Sequence, residues 1–124
     1  MLRKFLKGFV FAFEGMRYAF ETQLNLRFHL LFAILVILFG FFLQVSTFEW
    51  LILIFCIGLV IILELINTSI ESLTDLAAQK KEHKLAKIAK DTSAAAVLVG
   101  AFTSAIVGFI IFIPKIFSMI KYLV

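Results

Sequence analysis

The sequence predicts an all-α integral membrane protein, one domain of three membrane-spanning helices preceded by an interfacial amphipathic helix. Of its 124 residues 63% are hydrophobic, sixteen are Phe and the mean hydropathy is +1.09, against roughly 45–50% apolar residues in soluble domains. Residues 28–45, 50–63 and 92–113 contain no Asp, Glu, Lys or Arg, so lipid can serve as their solvent. Ten of the twelve Lys and Arg lie before residue 28 or between 79 and 91, which puts both regions on the cytoplasmic side and gives an N-inside, C-outside topology.

Residues 1–26 are expected to form the interfacial helix. Arg3, Lys7, Glu14, Arg17 and Glu21 fall on one stripe of a 3.6-residue period, while Leu2, Leu6, Phe9, Phe13, Met16 and Phe20 cover the remaining surface, the pattern of a helix lying in the headgroup plane. The apolar core Phe9 to Phe13 is too short for a signal peptide and no A-x-A-like site follows it, so no cleavage is expected.

The first span covers 28–45, eighteen residues that nearly cross the hydrocarbon at about 1.5 Å each. Residues 46–49 make a turn, and Trp50 marks an interface. The second span runs from 50 through Leu63 and past Glu64 to 78. A charge-dense cytoplasmic loop occupies 79–91, and the third span covers 92–113. On that span Ala94, Ala101 and Gly108 recur every seven residues beside Ser104 and Ala105, a face that permits close helix contact.

Several function classes are excluded or disfavoured by the same residues. The net charge of +4 and pI near 9.4 arise from Lys and Arg beside apolar segments, where lipid headgroups or a nucleotide would meet them, so nucleic acid is not an expected partner. Cys56 is the single cysteine and lies in an apolar run, which rules out an intrachain disulfide and reads as a small hydrophobe. The six glycines form no G-x-x-x-x-G-K motif, so phosphoryl transfer would not use a P-loop. No zinc-like Cys/His spacing exists, and Ser69, Ser72 and Ser93 have no His at a spacing that suggests acyl transfer.

The most informative segment is Glu64-Leu-Ile-Asn67-Thr68-Ser-Ile-Glu71-Ser-Leu-Thr-Asp75. At about 100° per residue, positions 64, 67, 71 and 75 fall within roughly 80° of one another, so three carboxylates and an amide line one helical face. Ionisable groups at such a depth are costly and by default functional. Glu64 is the deepest, flanked by Leu63, Leu65 and Ile66, and its partly desolvated position suits a general base. Glu71 and Asp75 sit nearer water and suit magnesium, a hard ion that takes carboxylate oxygen and keeps several waters. The bland alternative is a face that merely hydrogen-bonds neighbouring helices.

Lys90 and Asp91 come just before the third span, where free N–H groups and the helix dipole favour phosphate. For each an ordinary role competes, an interfacial anchor for Lys90 and an N-cap for Asp91. Glu82 and His83 lie in the loop, within reach of a nucleotide or simply solvated.

The combined pattern, Glu64-x-x-Asn67-Thr68-x-x-Glu71-x-x-x-Asp75 followed by Lys90-Asp91-x-x-Ala94-Ala95-Ala96-Val97, resembles the signature of the prokaryotic diacylglycerol kinase and undecaprenol kinase family over nearly the whole chain. The resemblance implies a homotrimer of three-span subunits in the bacterial inner membrane, with active sites at subunit interfaces and MgATP entering from the cytoplasm. It implies that Glu64 takes the proton from a lipid hydroxyl, that Glu71 binds the nucleotide's Mg2+, and that Asn67, Asp75, Lys90, Asp91, Glu82 and His83 surround the ATP. It further implies a metal ligand at position 23, where the family usually has Glu and this chain has Gln23. By the same resemblance Lys4 and Phe11 are nucleotide contacts, while Asn25 and Arg27 are substrate-binding residues that, with His29, fit the undecaprenol branch. The implied reaction is phosphorylation of undecaprenol, with diacylglycerol as the alternative lipid and a non-catalytic membrane assembly protein as the alternative of another class.

Overall fold

A computed structural model describes residues 2–79, 81 and 83–123. Four helices follow one another, α1 (Leu2–Thr22), α2 (Leu24–Phe42), α3 (Thr47–Ala78) and α4 (Lys84–Leu123), with no strand among the described residues. Leu24–Phe42, Thr47–Ala78 and Lys84–Lys121 are long and apolar enough to cross a membrane.

The N-terminal helix stops four residues earlier than expected. Gln23 is extended (φ −104°, ψ 110°) between α1 and α2, although no Gly or Pro lies nearby. The cause is Arg27, whose Nε donates to Phe20 O at 2.9 Å and whose Nη2 donates to Glu21 O at 2.7 Å. A helix end needs partners for its last carbonyls, and this guanidinium supplies them from the first turn of α2.

At the other end of α2 the chain turns through Gln44, which has φ 50°. The Val45 N–H reaches Gly40 O and the Gln44 N–H reaches Phe41 O, the paired bonds of a Schellman ending. The segment 46–49, expected as a turn, instead opens α3. Ser46 Oγ accepts from the Glu49 N–H at 3.3 Å and Glu49 Oε2 accepts from the Ser46 N–H at 2.6 Å, a reciprocal cap that lets the helix begin at Thr47. The Trp50 indole lies across Gly40, where an added Cβ would stand 2.6 Å from Cη2.

α3 and α4 pack antiparallel along their lengths. From one end to the other, Lys90 meets Asp75, Ser93 meets Asn67, Gly100 meets Leu63, Ser104 meets the Cys56 carbonyl and Lys115 meets Glu49. Every partner sum lies near 160, as an antiparallel register requires. The close approach falls at Gly100, where a Cβ would stand 2.5 Å from Leu63 Cδ1, and not at Gly108, which has open space. Ala94 is exposed, while Ala101, Ala105 and Gly108 line a groove of about 480 Å³ against α2. The seam that matters is therefore Ser93, Val97, Gly100, Ser104, Val107 and Ile111, one residue removed from the expected small stripe. A core of Val45, Leu53 and Ile111 closes the Trp50 end.

The expected loop at 79–91 is much shorter. Gln79 ends α3 in the left-handed region (φ 48°), and α4 starts at Lys84. His83 caps it, its Nδ1 accepting from the Leu85 N–H at 3.3 Å. Lys-Leu-Ala-Lys-Ile-Ala-Lys offers good helix formers at every position but Ile88 after that, so charge density does not mean loop. At the far end α4 runs through Pro114 to Leu123, where Lys115 Nζ bonds Glu49 Oε2 at 3.0 Å.

Candidate functional site

The stripe on α3 descends into the molecule in steps of one turn. Taking Trp50 as one interface and about 30 Å of hydrocarbon, a rise of 1.5 Å per residue brings the opposite interface to about residue 70. Asp75 and Glu71 then sit at or above the headgroups, Asn67 just below them, and Glu64 roughly 9 Å into the hydrocarbon. Exposure follows the same order at its deep end, with Asn67 at 4% and Glu64 at 1%.

Among the described residues Glu64 is the most thoroughly buried large side chain, and neither carboxylate oxygen finds a hydrogen-bond partner there. A buried carboxylate without a partner forfeits several kcal/mol relative to a satisfied one (about 1–3 kcal/mol for a neutral group and more for a charged one), so a fold tolerates it only where something else compensates. Thr68, one turn on, spends its hydroxyl on the Glu64 carbonyl at 2.9 Å and leaves the carboxylate alone.

Above Glu64 the polar groups are linked. Glu71 Oε2 accepts from Gln23 Nε2 and Glu71 Oε1 accepts from Asn67 Nδ2, both at 3.2 Å. Asn67 Oδ1 in turn accepts from Ser93 Oγ at 2.6 Å. The extended backbone at Gln23 makes the first contact possible, because that side chain caps no helix and is free to cross to α3. Two helices, α3 and α4, and the break between α1 and α2 thus meet around Glu71.

Lys90 Nζ bonds Asp75 Oδ1 at 2.7 Å, and Lys87 pairs with Asp91. Around them Asp75, Lys81, His83, Lys84, Lys87, Lys90 and Asp91 line an open cleft of about 800 Å³, large enough for a nucleotide. Lys90 and Asp91 lie two turns inside α4, so the free N–H groups expected beside them are absent. The first turn of α4 lies instead at Lys84, which also lines the cleft, so phosphate there would meet the lysine side chains and the helix N-terminus together.

Glu64, Asn67, Glu71, Asp75, Gln23, Lys90, Asp91 and His83 are thereby gathered at one end of the molecule. Glu82 lies outside the described residues. Lys4 and Phe11 are exposed on α1, and among the described residues neither bonds to α3 or α4. Asn25 is exposed, and Arg27, stacked 5.9 Å from the Phe20 ring, is engaged in ending α1. Ser93 was missed by sequence reasoning, which looked only for a nucleophile beside a histidine. Its signal was its place on the buried seam of α4, visible only once α3 is set beside it.

A hard cation would find Glu71 as carboxylate and the amides of Gln23 and Asn67, which present oxygen after a half-turn about the last side-chain bond. Among the described residues no three His, Cys, Asp or Glu side chains cluster as a metal site. The donors therefore fit an ion that arrives on phosphates, since Mg2+ commonly binds through one or two carboxylates plus substrate phosphates.

The sequence matches the model of the prokaryotic diacylglycerol kinase family over residues 10–112. It is 44% identical to undecaprenol kinase of Bacillus subtilis over 93% of each chain. It is 40% identical to diacylglycerol kinase of Synechocystis over 92% of this chain and 65% of that protein, and 32% identical to diacylglycerol kinase of Helicobacter pylori over 79% and 76%. A match of this extent, on a chain whose acidic stripe, lysine cleft and three long apolar helices stand as described, makes the protein a member of the prokaryotic diacylglycerol kinase family.

Proposed function

We propose that this protein is an inner-membrane lipid kinase that transfers the γ-phosphoryl group of MgATP to the terminal hydroxyl of undecaprenol. The observation that carries the reading is Glu64, a fully buried carboxylate with both oxygens unpartnered among the described residues, two turns below a carboxylate flanked by two amides. Its Oε accepts the hydroxyl proton as the lipid oxygen attacks the γ-phosphorus in line, and the bond to the ADP oxygen breaks without a covalent enzyme intermediate. Lys90 exchanges Asp75 for phosphate oxygens, with Asp91 and His83 flanking the nucleotide. Glu71, Asn67 and Gln23 would hold the Mg2+, which would supply neutralisation of phosphate charge. Asp75 holds Lys90 over the cleft until the nucleotide arrives, so the lysine is in place for transfer.

The identity to the Bacillus undecaprenol kinase favours the prenol. The relatives named diacylglycerol kinase support diacylglycerol as the second reading. Purified protein in nanodiscs with labelled ATP and each lipid distinguishes them: undecaprenyl phosphate is expected as the faster product, faster phosphatidic acid formation would select the second reading, and no transfer to either lipid would refute both.

The working unit we infer is a homotrimer oriented N-inside, C-outside, with the cleft facing cytoplasmic ATP. The wide exposure of apolar side chains on all three spans leaves ample surface for partner subunits and lipid. In a Cys56→Ala background, an impermeant thiol reagent should label Phe48→Cys but not Lys81→Cys in intact cells, and the opposite pattern would invert the topology.

A further inference from the structure

Ser93 has no part in the chemistry described above, yet it is buried at 8% exposure against the least satisfied portion of the site. Its Oγ lies 2.6 Å from Asn67 Oδ1 and 2.9 Å from Lys90 O. Both neighbours are acceptors only, and a serine hydroxyl has a single proton with two lone pairs. One of the two contacts is therefore unserved at any moment. Lys90 O lies within α4 and belongs to the helical ladder, so in the state described the proton goes to Asn67 Oδ1, which holds Asn67 Nδ2 against Glu71.

A second, equally bonded arrangement needs no backbone movement, only an exchange of the Asn67 Oδ1 and Nδ2 positions. A half-turn of the Asn67 amide brings Nδ2 to a lone pair of Ser93 Oγ, and the Ser93 proton then goes to Lys90 O, already at bonding distance. Asn67 Oδ1 now points toward Glu71. Two oxygen groups facing one another repel unless a cation lies between them. The first arrangement suits a bare Glu71 carboxylate and the second suits one engaged by a cation.

We propose that Ser93 is a positioning residue that makes both amide orientations of Asn67 affordable, so that Asn67 turns its oxygen toward Glu71 when a nucleotide-borne divalent cation arrives. The proposal deepens the kinase reading and rests on it. Among uncharged residue types a hydroxyl is the one strong group that both donates and accepts at a single atom, and Ala at this position would strand the buried amide oxygen in one state and the amide nitrogen in the other.

The chain has two asparagines, Asn25 and Asn67, so protein labelled with 15N-asparagine gives two side-chain amide signals, assigned with Asn25→Gln. In the parent the Asn67 amide signal should move when Mg2+ and a non-hydrolysable ATP analogue are added together, and stay put with the analogue and EDTA. In Ser93→Ala the signal should be shifted before any addition, and the Mg2+ concentration for half-maximal analogue binding should rise about three- to tenfold, because the amide nitrogen stranded in the cation-engaged state costs more to leave unpaired than the oxygen stranded in the bare state. Ser93→Thr, which keeps the hydroxyl, should return both readouts toward the parent. Ser93→Cys, of similar size but a weak donor, should fall between Ala and Thr, which guards against a folding defect in any single variant. With lipid present, Ser93→Ala should raise the Mg2+ requirement while kcat at saturating Mg2+ stays within about threefold.

An Asn67 signal in Ser93→Ala that matches the parent, or an unchanged Mg2+ requirement in both Ala and Cys variants, would overturn the role of Ser93. Failure of the parent to phosphorylate any lipid while its Asn67 signal still responds to the Mg2+ analogue would instead count against the kinase reading alone.

Discussion

The two ends of the bundle treat their polar groups in opposite ways. At the Trp50 end Ser46 and Glu49 cap each other, Glu49 also pairs with Lys115, and the indole closes over Gly40 with Phe41 4.9 Å away. At the Gln23 end the amide contacts to Glu71 are long, one hydroxyl faces two acceptors, and Glu64 has no partner among the described residues. The first end satisfies its polar groups locally and fixes the helices. The second holds unsatisfied capacity where a hydroxyl, a phosphate and a cation would supply what is lacking. Stability and chemistry are separated along the membrane normal, by roughly 20 Å of α3 between Trp50 and Glu64.

If that separation is real, substitutions at the two ends should affect different observables. The largest effect is expected for Glu64→Gln, which should lower kcat by about 10²–10⁴, while thermal stability in detergent rises because a stranded buried charge is replaced by a neutral amide. A fall in both would mean that Glu64 is structural. Gly40→Ala should do the reverse. Its Cβ would collide with the Trp50 ring, and the displacement should cost about 1–3 kcal/mol of stability, read as a lower melting temperature with activity per folded molecule retained.

Next in size is Gln23→Glu, which places a charged oxygen where an amide now donates to Glu71. The Mg2+ concentration for half-maximal activity should drop roughly fivefold, since a charge-assisted contact is about twice as strong as a neutral one. The gain should vanish in the Glu71→Gln background, because two ligands sharing one ion are not additive. An unchanged Mg2+ requirement in the single variant would take residue 23 out of the metal's surroundings. Smallest is the Glu49–Lys115 pair. A double-mutant cycle of Glu49→Gln and Lys115→Met should give a coupling below about 1 kcal/mol and leave turnover unaltered, and a coupling to turnover would break the division between the ends.

Helix type and the acidic stripe were legible in the sequence because both depend on local periodicity. Continuous apolar runs without the alternation of a barrel strand span lipid as helices, and residues 64, 67, 71 and 75 share a face whatever surrounds them. What escaped was set by partners far along the chain. The break at Gln23 comes from Arg27 reaching back to the carbonyls of α1, and nothing local at 23 signals it. Charge in 84–91 reads as loop, yet good helix formers and a His83 cap carry α4 two turns further back than expected. The α3 and α4 register, and with it the contact of Ser93 with Asn67, depends on where Gly100 lets Leu63 approach, one residue off the small-residue repeat.

The central claim is that the unpartnered carboxylate of Glu64 removes the proton from the lipid hydroxyl. The most direct test is single-turnover transfer from MgATP to undecaprenol in nanodiscs, measured beside MgATP affinity, for the parent and Glu64→Gln. The account predicts unchanged affinity, to within about twofold, with transfer slowed by at least about 100-fold. Transfer within about twofold of the parent, or a loss carried wholly by weaker MgATP binding, would contradict it.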